Sequence, residues 1–88
     1  VVNIARGELV DDEALVAAVK SGKVAAAGLD VFNGEPSQVH PGYLELPNVF
    51  ITPHIGSAAT NARAAMADML LDGFELLRAG EPVSNRVV

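Results

Sequence analysis

The spacing of apolar residues changes period several times along the chain, and each change marks an element. "VVNIA" is short, apolar and β-branched, which predicts a strand ending at Arg6-Gly7. "VDDEALVAAVKSGK" then takes up helical spacing. Asp11 is placed as N-cap, with Asp12 and Glu13 in a first turn where the helix dipole favours negative charge. Val10 and Leu15 occupy the two positions of a hydrophobic staple. Leu15, Ala18 and Val19 form the apolar stripe, and Gly22 is set to end the helix after Lys20. "VAAAGLDVF" predicts a second strand, apolar on both faces as a buried parallel strand is. "NGEPSQVHPGYLELPN" holds three of the five prolines, so it predicts a loop with room for a short helical turn. "VFITP" predicts a third strand. From "SAAT" onward, Ala62, Ala65, Met66, Met69, Leu70, Gly73, Leu76 and Leu77 recur at three- and four-residue steps. That helix spans about six turns before Gly80 and Pro82 close it, and "EPVSNRVV" is a tail.

The order strand, helix, strand, loop, strand, long helix indicates an α/β fold with a parallel sheet and helical crossovers. Three strands with one crossover helix leave exposed edges and an uncovered face. The expected architecture is therefore the later, C-terminal half of a doubly wound, Rossmann-like domain, followed by a long C-terminal helix. The chain opens inside an apolar run without Met, and the expectation is a fragment of a longer polypeptide. The glycine-rich phosphate-binding turn of such a domain is not found. The glycines of "GKVAAAG" precede a strand instead of opening a helix.

Composition narrows the chemistry. Half of the 88 residues are hydrophobic, a globular composition. Six basic against eleven acidic residues give a net charge of −5, and the cations are scattered, so no nucleic-acid footprint is expected. No apolar run approaches the roughly 20 residues of a membrane span. With no cysteine there is no disulfide framework or thiolate metal site, no metal centre is expected, and a reducing cytoplasm suits the chain. The ionisable residues at the strand ends say more. Arg6 follows the first strand, Asp30 lies near the end of the second with Glu35 in the loop beyond, and His54 follows the third. Each has a bland reading: surface cation, turn cap, solvated loop charge, strand-end histidine. In a parallel sheet all four share the carboxyl edge, where ligands bind.

Three blocks of this sequence, "VNIARGELVDDEAL", "GLDVFNGEP" and "NVFITPHIGSAAT", resemble successive signatures of the D-isomer-specific 2-hydroxyacid dehydrogenases. The likeness runs from about residue 1 to residue 60, in the family's order. It implies the C-terminal portion of a two-domain enzyme that uses NAD or NADP. Residues 1–57 would then complete the dinucleotide-binding domain, 58–80 would form an inter-domain helix, and 81–88 would be a tail of the substrate domain. The loop after the second strand and "PHIGSAATNARAAM" look most like the glyoxylate/hydroxypyruvate reductase branch. The parent implied is a cytoplasmic homodimer acting on a small 2-keto acid or 2-hydroxy acid.

The resemblance also implies roles. Arg6 would bind the substrate carboxylate and polarise its keto oxygen, a task suited to a planar, permanently charged guanidinium. His54 would be the general acid and base, with a reference pKa of about 6.5 close to working pH. Glu35 would accept the other ring N–H, setting the tautomer and favouring the imidazolium. Asp30 would bond the nicotinamide carboxamide. Ile4, Ala5 and Arg6, with His54, Gly56 and Ser57, would line the nicotinamide end, and Gly56 would admit the ring closely. Gly7 would serve the turn after Arg6, His40 would be an ordinary loop histidine, and Met66 and Met69 would pack along the helix. The isolated 88 residues would be inactive without the rest of the cleft. The alternative is a non-catalytic module, self-associating through the sheet edge and the helix, or a proteolytic remnant.

Overall fold

Asp11 caps the first helix as its position implies: its side chain accepts the Ala14 N–H at 2.9 Å. The computed structural model describes residues 1–88 and contains strand β1 (Val2–Asn3), helix α1 (Asp12–Lys20), strand β2 (Ala27–Leu29), helix α2 (Pro41–Leu44), strand β3 (Val49–Ile51) and helix α3 (Thr60–Arg78). A single 3-10 turn, Gly7–Leu9, links β1 to α1. The chain divides into two compact units, Val1–Gly56 and Ser57–Val88.

The first unit is a three-stranded parallel sheet in the order β1-β2-β3. Leu15, Val16 and Val19 of α1 bury against Ala27 and Leu29 of β2 and Tyr43 of α2. Val16 thus joins the expected stripe, while Ala18 is half-buried. Val10, Val24, Val39, Leu46, Val49 and Ile51 pack around this core. The opposite face is open: Val2, Gly28 and Phe50 lie in register across the three strands, and Phe50 is 72% exposed. The second strand is therefore buried on one face only.

All three strands are shorter than their apolar runs. β1 stops at Asn3 because the side chain of Asn3 takes over the backbone there. Its Nδ2 donates to the Arg6 carbonyl at 2.8 Å, and its Oδ1 accepts the Ala5 N–H at 3.1 Å. Side-chain bonds of this kind turn the chain where ladder bonds would extend it. Val31 and Phe32 are buried beyond the end of β2. Gly7 permits the turn after Arg6, since a Cβ there would lie 2.5 Å from the Phe32 carbonyl carbon. The helical turn foreseen in the proline-rich loop is α2. His40 caps it, with Nδ1 accepting the Gly42 N–H at 3.0 Å, and Pro41 opens it.

The second unit is α3 and the tail. Gly80, at φ 76°, ends α3 in a Schellman arrangement, with Gly80 N–H donating to Leu77 and Glu81 N–H to Leu76. No residue of α3 is buried. Met66 and Met69, expected as packing residues, are exposed, because within this unit only the tail is available to cover them. Val83 of that tail lies against Gly73, beside a shallow groove lined by Met69, Leu70, Phe74 and Leu77. No helix is long and apolar enough to cross a membrane.

Candidate active site

Because the strands are parallel, their carboxyl ends fall on one edge, and the polar residues follow each strand there. Cross-strand bonds hold the edge together: Asp30 N–H donates to the Asn3 carbonyl at 3.0 Å and Thr52 N–H to the Leu29 carbonyl at 2.9 Å.

Asp30 is the hub of this edge. It is only 7% exposed, and its carboxylate accepts three bonds. Oδ1 takes the Thr52 hydroxyl at 2.5 Å and the Ile55 N–H at 2.9 Å, while Oδ2 takes the Gly56 N–H at 2.8 Å. The Thr52 hydroxyl and then the Ile55 amide hold its carboxyl below the usual carboxylate range, assisted by the Gly56 amide and the charge of nearby His54 and opposed by desolvation. Asp30 thereby pins both residues that follow His54. The close approach made by Gly56 is to Asp30: a Cβ at Gly56 would sit 3.1 Å from Asp30 Oδ2.

His54 stands at φ 56°, in the left-handed region that few residues other than glycine occupy. Its N–H donates to the Thr52 carbonyl across Pro53 at 3.0 Å. The turn aims the ring at the loop after β2, where Nδ1 and Glu35 Oε2 are 2.7 Å apart. An ionised carboxylate can only accept, so Nδ1–H donates and Nε2 is left to exchange protons with a ligand. The side chains are 46% exposed for His54 and 24% for Glu35, so the pair is reachable from outside.

Arg6 follows β1 on the same edge and is exposed. It forms no ion pair, and its Nη1 donates to the carbonyl of its neighbour Ala5 at 2.8 Å. The structure thus brings Glu35 and His54 together directly and leaves Arg6 free of any acid. Ile4 and Ala5 are exposed beside it, and Ser57 is exposed in the turn that opens the second unit. His40 stands apart from this edge, with Nε2 2.8 Å from Glu13 Oε1.

Two residues of this edge escaped the reading of the sequence, Asn3 and Thr52. Thr52 had a detectable signal. Leu29 pairs with Ile51, so the next residues, Asp30 and Thr52, stand side by side. Asn3 lies inside an apolar run, where a lone amide gives no sign of which backbone groups it will bond.

Comparison with known proteins agrees with this fold. Residues 1–56 match the family model described as D-isomer specific 2-hydroxyacid dehydrogenase, NAD binding domain. The chain belongs to this family. Glycerate dehydrogenase of Hyphomicrobium methylovorum is 54% identical over 84 residues, 96% of this chain and 26% of that protein. Glyoxylate reductase of Pyrococcus furiosus is 49% identical over 80 residues, covering 91% and 24%. The crystal structure of a D-isomer specific 2-hydroxyacid dehydrogenase from Xanthobacter autotrophicus, in complex with NADPH and MES, superposes with a TM-score of 0.84 at 41% identity. That match covers 99% of this chain and 35% of that one. An NADPH-dependent glyoxylate/hydroxypyruvate reductase from Sinorhizobium meliloti, in complex with NADP and malonate, matches with a TM-score of 0.77 at 44% identity, over 85% of this chain and 23% of that one. The chain spans about a quarter of the length of the curated dehydrogenase and reductase relatives it matches. The three-stranded sheet is accordingly part of the family's Rossmann-like NAD-binding domain.

Proposed function

We propose that this chain supplies the proton-transferring and carboxylate-binding groups of an NAD(P)-dependent enzyme that interconverts 2-keto acids and D-2-hydroxy acids, of the glyoxylate/hydroxypyruvate reductase kind. The observation that carries the reading is the 2.7 Å pair of His54 and Glu35 at the carboxyl edge of the sheet. The likeness to named glyoxylate and hydroxypyruvate reductases supports the substrate class.

The chemistry follows from the geometry. Glu35, accepting from Nδ1–H, orients the imidazole and stabilises its charged form, so Nε2 can hold a proton ready for the substrate oxygen. In reduction His54 gives that proton to the keto oxygen, and in oxidation it takes the proton back from the hydroxyl. Arg6, with no acid paired to it, offers its guanidinium to the substrate carboxylate in a bidentate grip and polarises the neighbouring carbonyl. NAD or NADP, when bound, supplies or accepts the hydride. For its nicotinamide end this chain offers Ile4, Ala5 and Arg6 after β1, Asp30 after β2, and His54, Gly56 and Ser57 after β3. The fit there is good: Asp30 holds the 55–56 backbone against itself, and Ile4 and Ala5 expose an apolar edge. In the whole protein, residues 58–80 serve as the inter-domain helix and 81–88 as a tail of the substrate domain, in a cytoplasmic homodimer.

The decisive experiment uses the full-length protein that carries this segment. Glyoxylate- or hydroxypyruvate-dependent oxidation of NADH or NADPH is expected. His54→Gln should lower turnover by about 10²- to 10⁴-fold while dinucleotide binding persists. Normal turnover in that variant would remove His54 as the acid. Arg6→Gln should chiefly raise the KM for the keto acid, with a smaller loss of turnover.

A second reading, a self-associating module without catalysis, draws on the exposed apolar face of α3 and on Phe50. A monodisperse assembly larger than 9.1 kDa in light scattering of these 88 residues would favour it.

A further inference from the structure

Glu35 has one side-chain partner, His54, and no bond of its own that fixes its carboxylate to the fold. Its place is inherited from the loop between β2 and α2, and that loop is tied at both ends to a single residue. Asn33, two positions before Glu35, donates from Nδ2 to Asp12 Oδ2 at 3.0 Å and also to the Val10 carbonyl at 3.1 Å. Tyr43, beyond the other end, donates its hydroxyl to Asp12 Oδ1 at 2.8 Å. Both oxygens of one carboxylate are thus used, one for each end of the loop. We propose that Asp12 is a positioning residue of the proton-transfer site, holding Glu35 against His54 through Asn33 and Tyr43. This rests on the catalytic reading of the Glu35–His54 pair given above.

Three features set Asp12 apart from an ordinary acid in a helix's first turn. The capping task at the α1 N-terminus is already met by Asp11, so the Asp12 side chain is not consumed there. Tyr43 is 2% exposed, and a buried hydroxyl deprived of its acceptor is destabilising, so the bond holds that end in one geometry. Between the two struts the loop is short and internally bonded: Gln38 N–H donates to the Gly34 carbonyl at 3.0 Å, and Gly34 takes φ 84°. The titratable and charged neighbours are Asp11 and Glu13 on α1, His40 and Tyr43 on the strapped segment, and Asp30 beside His54. None of these bonds the ring of His54, which is paired with Glu35 alone.

Glu35 can act on the ring of His54 only while the loop holds the pair at 2.7 Å, so slackening the loop should act in the same direction as removing the Glu35 carboxylate. The test is the pH dependence of kcat for keto-acid reduction by the full-length protein, in Glu35→Gln, Asp12→Ala, Asn33→Ala and Tyr43→Phe. Glu35→Gln sets the direction in which loss of the carboxylate moves the alkaline limb of that profile. The alkaline limb of Asp12→Ala should move in the direction in which Glu35→Gln moves it, and those of the two milder variants less far. A fold-only role for Asp12 would lower thermal stability and leave the limb in place. Asn33→Ala and Tyr43→Phe each remove one strut without opening the core, so they decide the matter even where Asp12→Ala does not fold. If Glu35→Gln moves the limb and both mild variants keep it at the wild-type pH, the strap is wrong and the catalytic pair stands. If Glu35→Gln leaves the limb unmoved, or the protein reduces no 2-keto acid, both readings fall together.

Discussion

The two units of this chain are built from similar proportions of apolar residues and differ in what those residues touch. In Val1–Gly56, Leu15, Val16, Val19, Leu29 and Tyr43 close a core, and the polar side chains at its edge have specific partners. In Ser57–Val88 a longer and more regular helix buries nothing. Regular periodicity is therefore no measure of tertiary order. A helix can be encoded by local spacing and caps alone, whereas a site of bonded polar groups needs a core behind it to fix the backbone.

The sharpest way to break this contrast is to truncate one leucine in each unit. In the 88-residue chain Leu29→Ala should destabilise by about 2–5 kcal/mol in chemical denaturation, as buried leucines do. Leu70→Ala on α3 should cost less than about 1 kcal/mol. Equal losses would erase the distinction. In the full-length protein, a large loss at Leu70 would show that the face of α3 is covered there.

Two glycines give a smaller version of the same comparison. Gly7→Ala should cost about 1–3 kcal/mol, because the added Cβ meets the fixed Phe32 backbone. Gly80→Ala, at φ 76° with open space around it, should cost only about 1 kcal/mol of backbone strain. Thermal denaturation of the two variants side by side checks the order.

The smallest effects are those of pH, and both belong to the first unit. Burial, and then the hydrogen bond and charge of Asp12 with the charge of Asp11, push the Tyr43 phenol well above its ordinary range. The folded state keeps that proton when the unfolded chain loses it. Stability should therefore be level below about pH 10 and fall above it, and Tyr43→Phe should flatten the fall. Asp30 has the opposite sign. Its lowered carboxyl adds stability above the ordinary carboxylate range that is lost as pH falls through and below it. Asp30→Asn should blunt that acid limb in a pH series of denaturation curves.

Legibility followed the range of the interaction. Asp11 and Gly22 marked the ends of α1 and Gly80 that of α3, because caps act within a few residues of themselves. The carboxyl-edge placement of Arg6, Asp30 and His54 was readable once the strands were taken as parallel. The shortness of β1 was not, since it depends on two bonds from Asn3 that compete with the ladder. Nor was the use of Asp12, which looked like a dipole-favoured acid and proved to bond side chains 21 and 31 residues away.

By itself the sequence determined the alternation of strands and helices, the helix ends and the residue types available for chemistry at each strand end, because periodicity and capping are local properties of the chain. Only the tertiary structure decided that Asp30 spends its oxygens on Thr52, Ile55 and Gly56, that His54 takes a left-handed backbone, and that Glu35 meets its ring at 2.7 Å. Those bonds join residues 19 to 26 positions apart in sequence, and only the packed sheet sets the distances between them.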